Sequence, residues 1–198
     1  MPRHQLPQLI LASNSPRRRE LLSEAGYLFD VVAPDPKRES GPRPGESAEH
    51  LVARLATEKA SQVAEVLASK ASGPLILAAD TVAECRGQIL GKPNDRDHAR
   101  QILRQLSGKT HRVLTGICLW QLPNGPRRTA IDVTTLEMES LSEQQIETYL
   151  EGGLWQGKAG AFGYQDGIDW VRIITGSPSN VVGLPMELLC EMLREFAI

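Results

Sequence analysis

The sequence predicts a mixed α/β fold, in which a twisted sheet of parallel and antiparallel strands is flanked by helices. Short apolar runs typical of buried strands alternate along the chain with amphipathic helical segments. In the middle, two long strands at 111–122 and 128–139 are joined by Pro-Asn-Gly, which indicates an antiparallel hairpin. At 198 residues the chain is long enough for one well-buried domain, with room for two lobes.

Composition excludes several classes of protein. Apolar residues make up 41% and charged residues 23%, as in an ordinary globular domain. A net charge of −2 argues against a nucleic-acid or membrane-surface protein, so any basic site is local. The apolar runs are too short for a membrane span or a signal peptide, and we expect a cytoplasmic protein. Metal-ligand spacing is absent among the three cysteines (Cys85, Cys118, Cys190) and among the four histidines (His4, His50, His98, His111). The cysteines are expected to be reduced core residues.

The first landmark is a strand that leads directly into a helix. Leu9 to Ala12 is expected to be buried, Ser15 to cap the helix and Pro16 to occupy its first position. Leu21, Leu22 and Ala25 are expected on its buried face, with Gly26 at its end. Three arginines, 17–19, lie in the first turn, where the helix dipole disfavours cations. They indicate either a polyphosphate site or a solvated basic patch.

A long amphipathic helix is predicted from Ser47 to about Ser69. Its apolar stripe contains Leu51, Val52, Leu55, Ala56, Ala60, Val63, Val66 and Leu67. Lys59 lies near the centre of that stripe, where an unpaired ammonium would be costly. Lys59 must therefore either extend its amine to the edge of the buried surface or contact an anion.

The next predicted strand, 74–81, is expected to end at a carboxylate, Asp80. In open α/β sheets ligands lie at the carboxyl ends of strands, so Asp80 is a candidate base or metal ligand, the alternative being a turn-capping role. Residues 81–85 and 88–90 are expected to form a hairpin that presents Lys92 in a rigid Gly-Lys-Pro turn.

Three further helices and a strand are predicted downstream. Asn94 is expected to cap a helix whose buried face is Ala99, Ile102, Leu103 and Leu106. Ser142 and Gln145 form a capping box for a short helix, and residues 168–174 form a strand. Pro185 begins a closing helix with Leu188, Leu189, Met192 and Leu193 inward.

Two loops carry candidate functional residues. Residues 34–45 contain four prolines and two glycines, and loops of this length are usually functional or mobile. Residues 157–167 contain four glycines, which let a backbone approach a ligand closely. Within the second loop Lys158 offers charge, and Gln165 offers donors and acceptors suited to a base edge; an ordinary glycine-rich loop is the alternative.

Taken together, these segments resemble the Maf family of nucleoside triphosphate pyrophosphatases over nearly the whole chain, so that 1–198 forms a single Maf-like domain. The matching motifs are LASNSPRR at 11–18, EKA at 58–60, ADT at 79–81, GKP at 91–93, LSG at 106–108, KAGAFG at 158–163 and VGLP at 182–185. The resemblance implies two lobes with a deep cleft, as in inosine-triphosphate pyrophosphatases, and a divalent metal, Mg²⁺ or Mn²⁺. It further implies hydrolysis of a nucleoside triphosphate to the monophosphate and pyrophosphate.

The resemblance also assigns roles to individual residues. Asp80 would accept the proton from water, close to the metal, and the phosphates would be bound by Ser13, Arg17, Arg18, Lys59, Lys92 and Lys158. Arg17, Thr81 and Gln165 match the subgroup that acts on dTTP and UTP. The subgroup preferring 7-methyl-GTP has Trp, Gln and Glu at those positions, and that preference is the alternative.

The loop after the second predicted strand, which is expected to span Leu28 to Ala33, departs from the family pattern. Lys37 stands where an acid is expected, so we expect Asp35 or Glu39 to help Asp80 hold the metal, unless Lys37 itself binds the triphosphate. A nucleotide-binding regulator linked to cell-division arrest therefore remains an alternative to an enzyme. The sequence leaves the physiological nucleotide and a homodimeric assembly open.

Overall fold

The computed structural model describes residues 8–68 and 73–196, which form an α/β structure. His4 and the predicted helix end at Ser69 lie outside these residues. The strands are β1 Leu9–Ala12, β2 Phe29–Val31, β3 Leu75–Cys85, β4 Gln88–Leu90, β5 Thr110–Gln121, β6 Arg127–Met138 and β7 Val171–Thr175. The helices are α1 Pro16–Glu24, α2 Ala48–Leu67, α3 Arg96–Leu106, α4 Glu143–Glu151, α5 Pro178–Val182 and α6 Met186–Arg194. Short 3₁₀ turns span Pro36–Arg38 and Ala159–Ala161.

The sheet is mixed, as the alternating pattern predicts. Its strand order is β2-β1-β3-β5-β6-β7, with β4 paired to β3. Strand β1 pairs in parallel with β2 and β3, whereas β4 and β7 are antiparallel to their neighbours. The chain forms two compact units. The first takes its described residues from Met1–Asp80, Gly116–Ile131 and Met186–Ile198, the second from Thr81–Thr115 and Asp132–Pro185.

The core of the first unit forms where α2 packs against apolar strand residues. The buried members are Ile10, Ala12, Ala56, Ala60, Val63, Leu67, Ile76, Ala78, Cys118 and Leu122. The predicted stripe is confirmed apart from Val66, which is 69% exposed because the last turn of α2 leaves that side uncovered. Gly116 is buried against the backbone of α2, where a Cβ would overlap the carbonyl of Val52.

The predicted end of the strand at Asp80 is wrong, because β3 continues to Cys85. Residues 82–85 are all buried and sustain the extended conformation through that segment. The parallel pairing with β1 nevertheless stops where Ala12 meets Ala78. Asp80 therefore lies two residues beyond the last β1 partner, in the interior of a strand.

The second unit has its own apolar core, in which aromatic rings meet edge to face. Phe162 contacts His111 and Trp170, with ring centroids 5.5 and 6.5 Å apart, and Trp170 also meets Tyr149 at 5.3 Å. The predicted buried face of α3 is confirmed: Ala99, Ile102, Leu103 and Leu106. The glycine-rich segment contributes Ala161 and Phe162 to this core.

The helix caps confirm one prediction and correct another. Ser142 and Gln145 form the capping box of α4. Asp95 rather than Asn94 caps α3, because the Asp95 carboxylate accepts the His98 backbone N–H at 2.7 Å from an extended backbone. Helix α5 was not predicted, since its five residues are too few to show an apolar period.

Several burial predictions also need correction. Ala25 is exposed and Leu22 is the apolar residue that α1 buries, while Leu188 is only half-buried. Cys85 and Cys118 are free and buried, but Cys190 is exposed because it lies off the face of α6 that buries Leu189 and Met192. Strands β2 and β7 are shorter than predicted and begin at Phe29 and Val171. Within the described residues, no helix combines the length and apolarity that crossing a membrane requires.

Candidate active site

A buried ion pair joins β3 to α2 in the first unit. The ammonium of Lys59 contacts the carboxylate of Asp80, and each side chain is 10% exposed. The sequence left two alternatives for Lys59, an amine at the edge of the buried surface or an amine in contact with an anion. In this structure the amine contacts an anion, the Asp80 carboxylate. Two opposite charges taken from water are tolerated when they pair closely.

A second carboxylate meets the same ammonium. Glu39 Oε2 lies 3.2 Å from Lys59 Nζ, and the Glu39 side chain is 38% exposed. Lys59 thus has one buried and one partly exposed acid within ion-pair distance. Of these two acids, Glu39 is the one that solvent can reach.

Ser13 and Arg18 form a buried polar contact at the end of β1. The Arg18 guanidinium donates from Nη1 to the backbone oxygen of Ala79 at 2.7 Å and to Ser13 Oγ at 3.4 Å. Burial lowers the pKa of Arg18 from its ordinary value, and the negative charge of Asp80 opposes this effect. Arg17 is half-buried and Arg19 is exposed. The three arginines therefore occupy different environments and do not form a uniform solvated patch.

The loop that follows β2 is tied to α2 at its start. The backbone N–H of Asp35 donates to Gln62 Oε1 at 3.0 Å, and the Asp35 carboxylate accepts the Lys37 N–H at 2.9 Å. Asp35 therefore caps the short turn Pro36–Arg38, while the Lys37 side chain is exposed.

Arg54 on α2 holds the next part of this loop. Its guanidinium donates to both carboxylate oxygens of Glu46 at 2.6 Å, to Glu58 at 3.0 Å and to the backbone oxygen of Gly41 at 3.1 Å. It also contacts Ser40 Oγ, which in turn donates to Glu58 at 2.6 Å. Because Ser40 follows Glu39 directly in the chain, this network fixes the backbone that carries the Glu39 carboxylate. Sequence reasoning missed Arg54, although its i,i+4 spacing to Glu58 is a recognisable signal.

The predicted metal ligands are only partly brought together. Asp80 and Glu39 share Lys59, whereas the Asp35 carboxylate is engaged at the turn. Among residues 8–68 and 73–196, no three His, Cys, Asp or Glu side chains are grouped as a metal site. Asp80 and Glu39 are ligands of the kind that Mg²⁺ takes, since this ion commonly binds one or two acids and completes its shell with phosphate and water oxygens. Both acids contact the Lys59 ammonium in this structure, so that ammonium would have to leave them for the ion to bind.

In the second unit, the glycine-rich segment closes around Lys158. The Lys158 ammonium contacts Asp166, whose carboxylate also accepts the Tyr149 hydroxyl at 3.1 Å; both charged side chains are nearly buried. The Tyr149 oxygen accepts the backbone N–H of Gly163 at 3.2 Å. A Cβ at Gly163 would displace the ends of the Asp166 and Lys158 side chains, so glycine leaves room for this ion pair. Asp166 was missed although it lies within the singled-out 157–167 loop, and Tyr149 was missed because it belongs to no motif that the sequence singles out.

The other predicted residues of the second unit are less buried. Lys92 and Gln165 are exposed, and the Lys92 turn is joined to the glycine-rich segment by a bond from Gly160 N–H to the Gly91 oxygen at 3.2 Å. Thr81 is partly exposed, and its hydroxyl lies 2.9 Å from that of Thr115.

The fold and these residues define a class: an α/β protein whose first unit carries a lysine between two carboxylates and whose second unit carries a lysine-bearing glycine-rich segment. The chain belongs to the Maf-like protein family, whose model matches residues 8–196.

Curated relatives resemble nearly the whole chain. One named dTTP/UTP pyrophosphatase, from Rhodopirellula baltica, is 51% identical over 99% of this chain and 88% of its own length. Proteins of the same name from Brucella abortus and Bdellovibrio bacteriovorus are 46% and 39% identical, over 91% and 96% of this chain and 87% and 99% of theirs. A solved dITP/XTP pyrophosphatase from Mycobacterium abscessus aligns at 16% identity and a TM-score of 0.44, covering 96% of this chain and 98% of that one.

Proposed function

We propose that this chain hydrolyses the α–β phosphoanhydride of dTTP and UTP, releasing the nucleoside monophosphate and pyrophosphate. The Lys59–Asp80–Glu39 cluster is the observation that carries the proposal, because it concentrates acid and cation at one place. Support for the substrates comes from the family and from relatives named dTTP/UTP pyrophosphatase at 39–51% identity.

In this proposal Asp80 is the general base. Its carboxylate orients a water molecule and accepts a proton from it as the water oxygen bonds to a phosphorus of the α–β linkage. The bond from that phosphorus to the bridging oxygen breaks, which frees the monophosphate and pyrophosphate. Lys59 holds the Asp80 carboxylate in place and balances its charge, because a buried charge without a partner is costly. A positioned base of this kind typically contributes 10²- to 10⁴-fold in rate.

The phosphates require positive charge. We propose that Arg17, Arg18, Lys59, Lys92 and Lys158, with the hydroxyl of Ser13, take part in binding the triphosphate. Preorganised cations act on a phosphoanhydride by neutralising the charge on the transferred group and its leaving oxygen. Arg18 and Lys158 are already held by Ala79 and Asp166, so little conformational entropy is lost when an anion arrives.

A divalent cation, Mg²⁺ or Mn²⁺, is part of the proposal. Asp80 and Glu39 would hold it, with Asp35 as the third expected acid, and when bound it would neutralise phosphate charge and polarise the scissile linkage. Glu39 suits this role because its carboxylate is partly exposed. It could leave Lys59 and bind a metal ion without bringing a buried group into contact with solvent.

We further propose that Thr81, Gln165 and Arg17 select the base. A neutral amide and a hydroxyl can pair with the edge of uracil or thymine. Composition and the family also lead us to propose a cytoplasmic protein that binds a small nucleotide, with a homodimer as the assembly to be tested.

Product analysis tests the proposal. Purified protein is incubated with Mg²⁺ and a panel of nucleoside triphosphates, and the products are separated by anion exchange. We expect dTMP or UMP together with pyrophosphate, and much slower turnover of purine nucleotides, 7-methyl-GTP included. Release of a diphosphate and inorganic phosphate would contradict the proposed bond cleavage. Tight binding of dTTP without turnover would instead support the nucleotide-binding regulator.

A further inference from the structure

A network of side-chain contacts links helix α4 to Lys158 in the second unit. The Tyr149 hydroxyl donates to Asp166 Oδ2 at 3.1 Å, and the Lys158 ammonium contacts the same oxygen. A carboxylate oxygen only accepts hydrogen bonds, so Tyr149 and Lys158 are both donors to it. The Tyr149 oxygen also accepts the backbone N–H of Gly163 at 3.2 Å. One phenol group therefore holds both the carboxylate that meets Lys158 and the loop backbone between these two residues.

Tyr149 is held by elements outside the glycine-rich loop. It lies on α4, whose first turn is fixed by the Ser142–Gln145 capping box. Its ring meets the Trp170 ring edge to face, with centroids 5.3 Å apart, and it packs against the apolar core of the unit. Residues 157–167 include four glycines, which give a loop backbone many alternative conformations. We therefore expect the Tyr149 hydroxyl to restrict the conformation of this loop.

The position of the Lys158 ammonium depends on this network. The side chains of Lys158 and Asp166 are 13% and 12% exposed. An ammonium has three protons, of which the contact with Asp166 uses one, so Lys158 can also donate to a phosphate oxygen. The direction of that donation depends on where the Asp166 carboxylate lies. The bond from Tyr149 also offsets part of the carboxylate charge, which would otherwise repel a phosphate.

We propose that Tyr149 is a positioning residue that acts through Asp166 to hold the Lys158 ammonium where it meets the triphosphate. This inference rests on the proposed function, in which Lys158 binds phosphate. Tyr149 then contributes to substrate binding through its hydroxyl, whereas a packing role would need only its ring.

Removing the hydroxyl tests this role. Tyr149→Phe keeps the ring and its contact with Trp170, but it removes the bonds to Asp166 and Gly163. Calorimetry in the presence of Mg²⁺ measures the dissociation constant of α,β-imido-dTTP, which we expect to rise about 10-fold, with a matching fall in kcat/KM for dTTP. Tyr27→Phe removes a hydroxyl from the first unit and is the matched control, so it should keep the wild-type values.

A second variant displaces the same ion pair while leaving Tyr149 in place. A Cβ at Gly163 would meet the ends of the Asp166 and Lys158 side chains, so Gly163→Ala should also weaken binding of α,β-imido-dTTP. Gly152→Ala is the matched control, because its backbone is helical and a Cβ there would make ordinary contact with the Tyr149 backbone oxygen at 3.4 Å. This arm holds even if Tyr149→Phe does not fold.

A double-variant cycle separates an effect through Lys158 from a general structural effect. Lys158→Met should weaken binding of α,β-imido-dTTP, and adding Tyr149→Phe should then weaken it little further. Independent, additive losses would overturn the inference, and so would a folded Tyr149→Phe or Gly163→Ala protein with wild-type affinity. Failure of the proposed function is distinct, because the wild type would then bind the analogue without hydrolysing any nucleotide of the panel.

Discussion

The Lys59 ammonium lies against the Asp80 carboxylate, and both side chains are 10% exposed. The pair joins the centre of α2 to the interior of β3, so one contact links a packing position to a candidate catalytic group. A buried pair of this kind is weakly stabilising when intact, but removing one partner leaves an uncompensated charge.

Replacing Lys59 by Met should destabilise the first unit. From the apolar stripe alone we would expect Met to be tolerated, but the contact with Asp80 predicts a loss of about 3–5 kcal/mol in unfolding free energy at pH 7. Urea denaturation measures this loss. Lys37→Met, at an exposed lysine of the same unit, should change stability little, and adding Asp80→Leu to Lys59→Met should recover most of the loss. A Lys59→Met protein as stable as the wild type would show that the pair carries no such penalty.

Acid stability should depend on Arg54. Its hydrogen bonds lower the pKa of Glu46 from 4.5 to about 2. Because the folded-state pKa is depressed, the pair's contribution to stability is complete above pH 4.5 and is lost as the pH falls toward 2. Arg54→Gln should therefore flatten the dependence of unfolding free energy on pH in this window. Arg38→Gln, which breaks the exposed contact with Glu65, is the matched control and should have a smaller effect. Equal slopes for Arg54→Gln and wild type would refute the assignment.

Metal dependence should involve Glu39 more than Asp35. Glu39 contacts Lys59, whereas Asp35 caps a turn. In a Mg²⁺ titration of initial rate, Glu39→Ala should raise the concentration for half-maximal rate about 10-fold, and Asp35→Ala should raise it less. Lys37→Glu should leave it unchanged or lower, since a lysine beside Mg²⁺ would repel it. If Lys37→Glu instead abolishes dTTP binding while both alanine variants behave normally, Lys37 is a phosphate ligand.

Base preference should follow three positions. Exchanging Arg17, Thr81 and Gln165 for Trp, Gln and Glu should shift kcat/KM from dTTP and UTP toward 7-methyl-GTP. A carboxylate and an aromatic face suit a cationic methylated guanine, whereas the native residues are neutral or cationic. Competition assays with mixed nucleotides measure the shift. A triple variant that keeps its pyrimidine preference would show that these residues do not read the base.

Sequence reasoning identifies the fold class and the residues whose positions follow from local periodicity. The α2 stripe, the α3 face and the Ser142 capping box are confirmed, because each is determined by spacing within one helix. The partner of Lys59 was not predictable, since Asp80 reaches it through tertiary packing. Asp166 lies eight residues from Lys158 in the same loop and was missed because a loop has no regular spacing that pairs its side chains. The true end of β3 was missed because the change from parallel to antiparallel pairing leaves no mark on a continuous run of buried residues.

The hydrogen bond between Thr115 and Asn180 was also not predictable from the sequence. Thr115 and Asn180 are 65 residues apart, and polar residues within a strand and a short helix do not reveal whether they face each other. Only the folded chain shows that they face each other.

The most direct test of the account is the rate of dTTP hydrolysis by Asp80→Asn under saturating metal. Asparagine preserves the shape but cannot accept a proton, so kcat should fall at least about 100-fold while dTTP still binds. The thermal transition should stay cooperative but move to a lower temperature, because Lys59 loses its buried charged partner. Asp30→Asn, at an exposed acid on β2, is the matched control and should keep wild-type turnover. A folded Asp80→Asn protein with near-normal kcat would contradict the role of Asp80 as the general base.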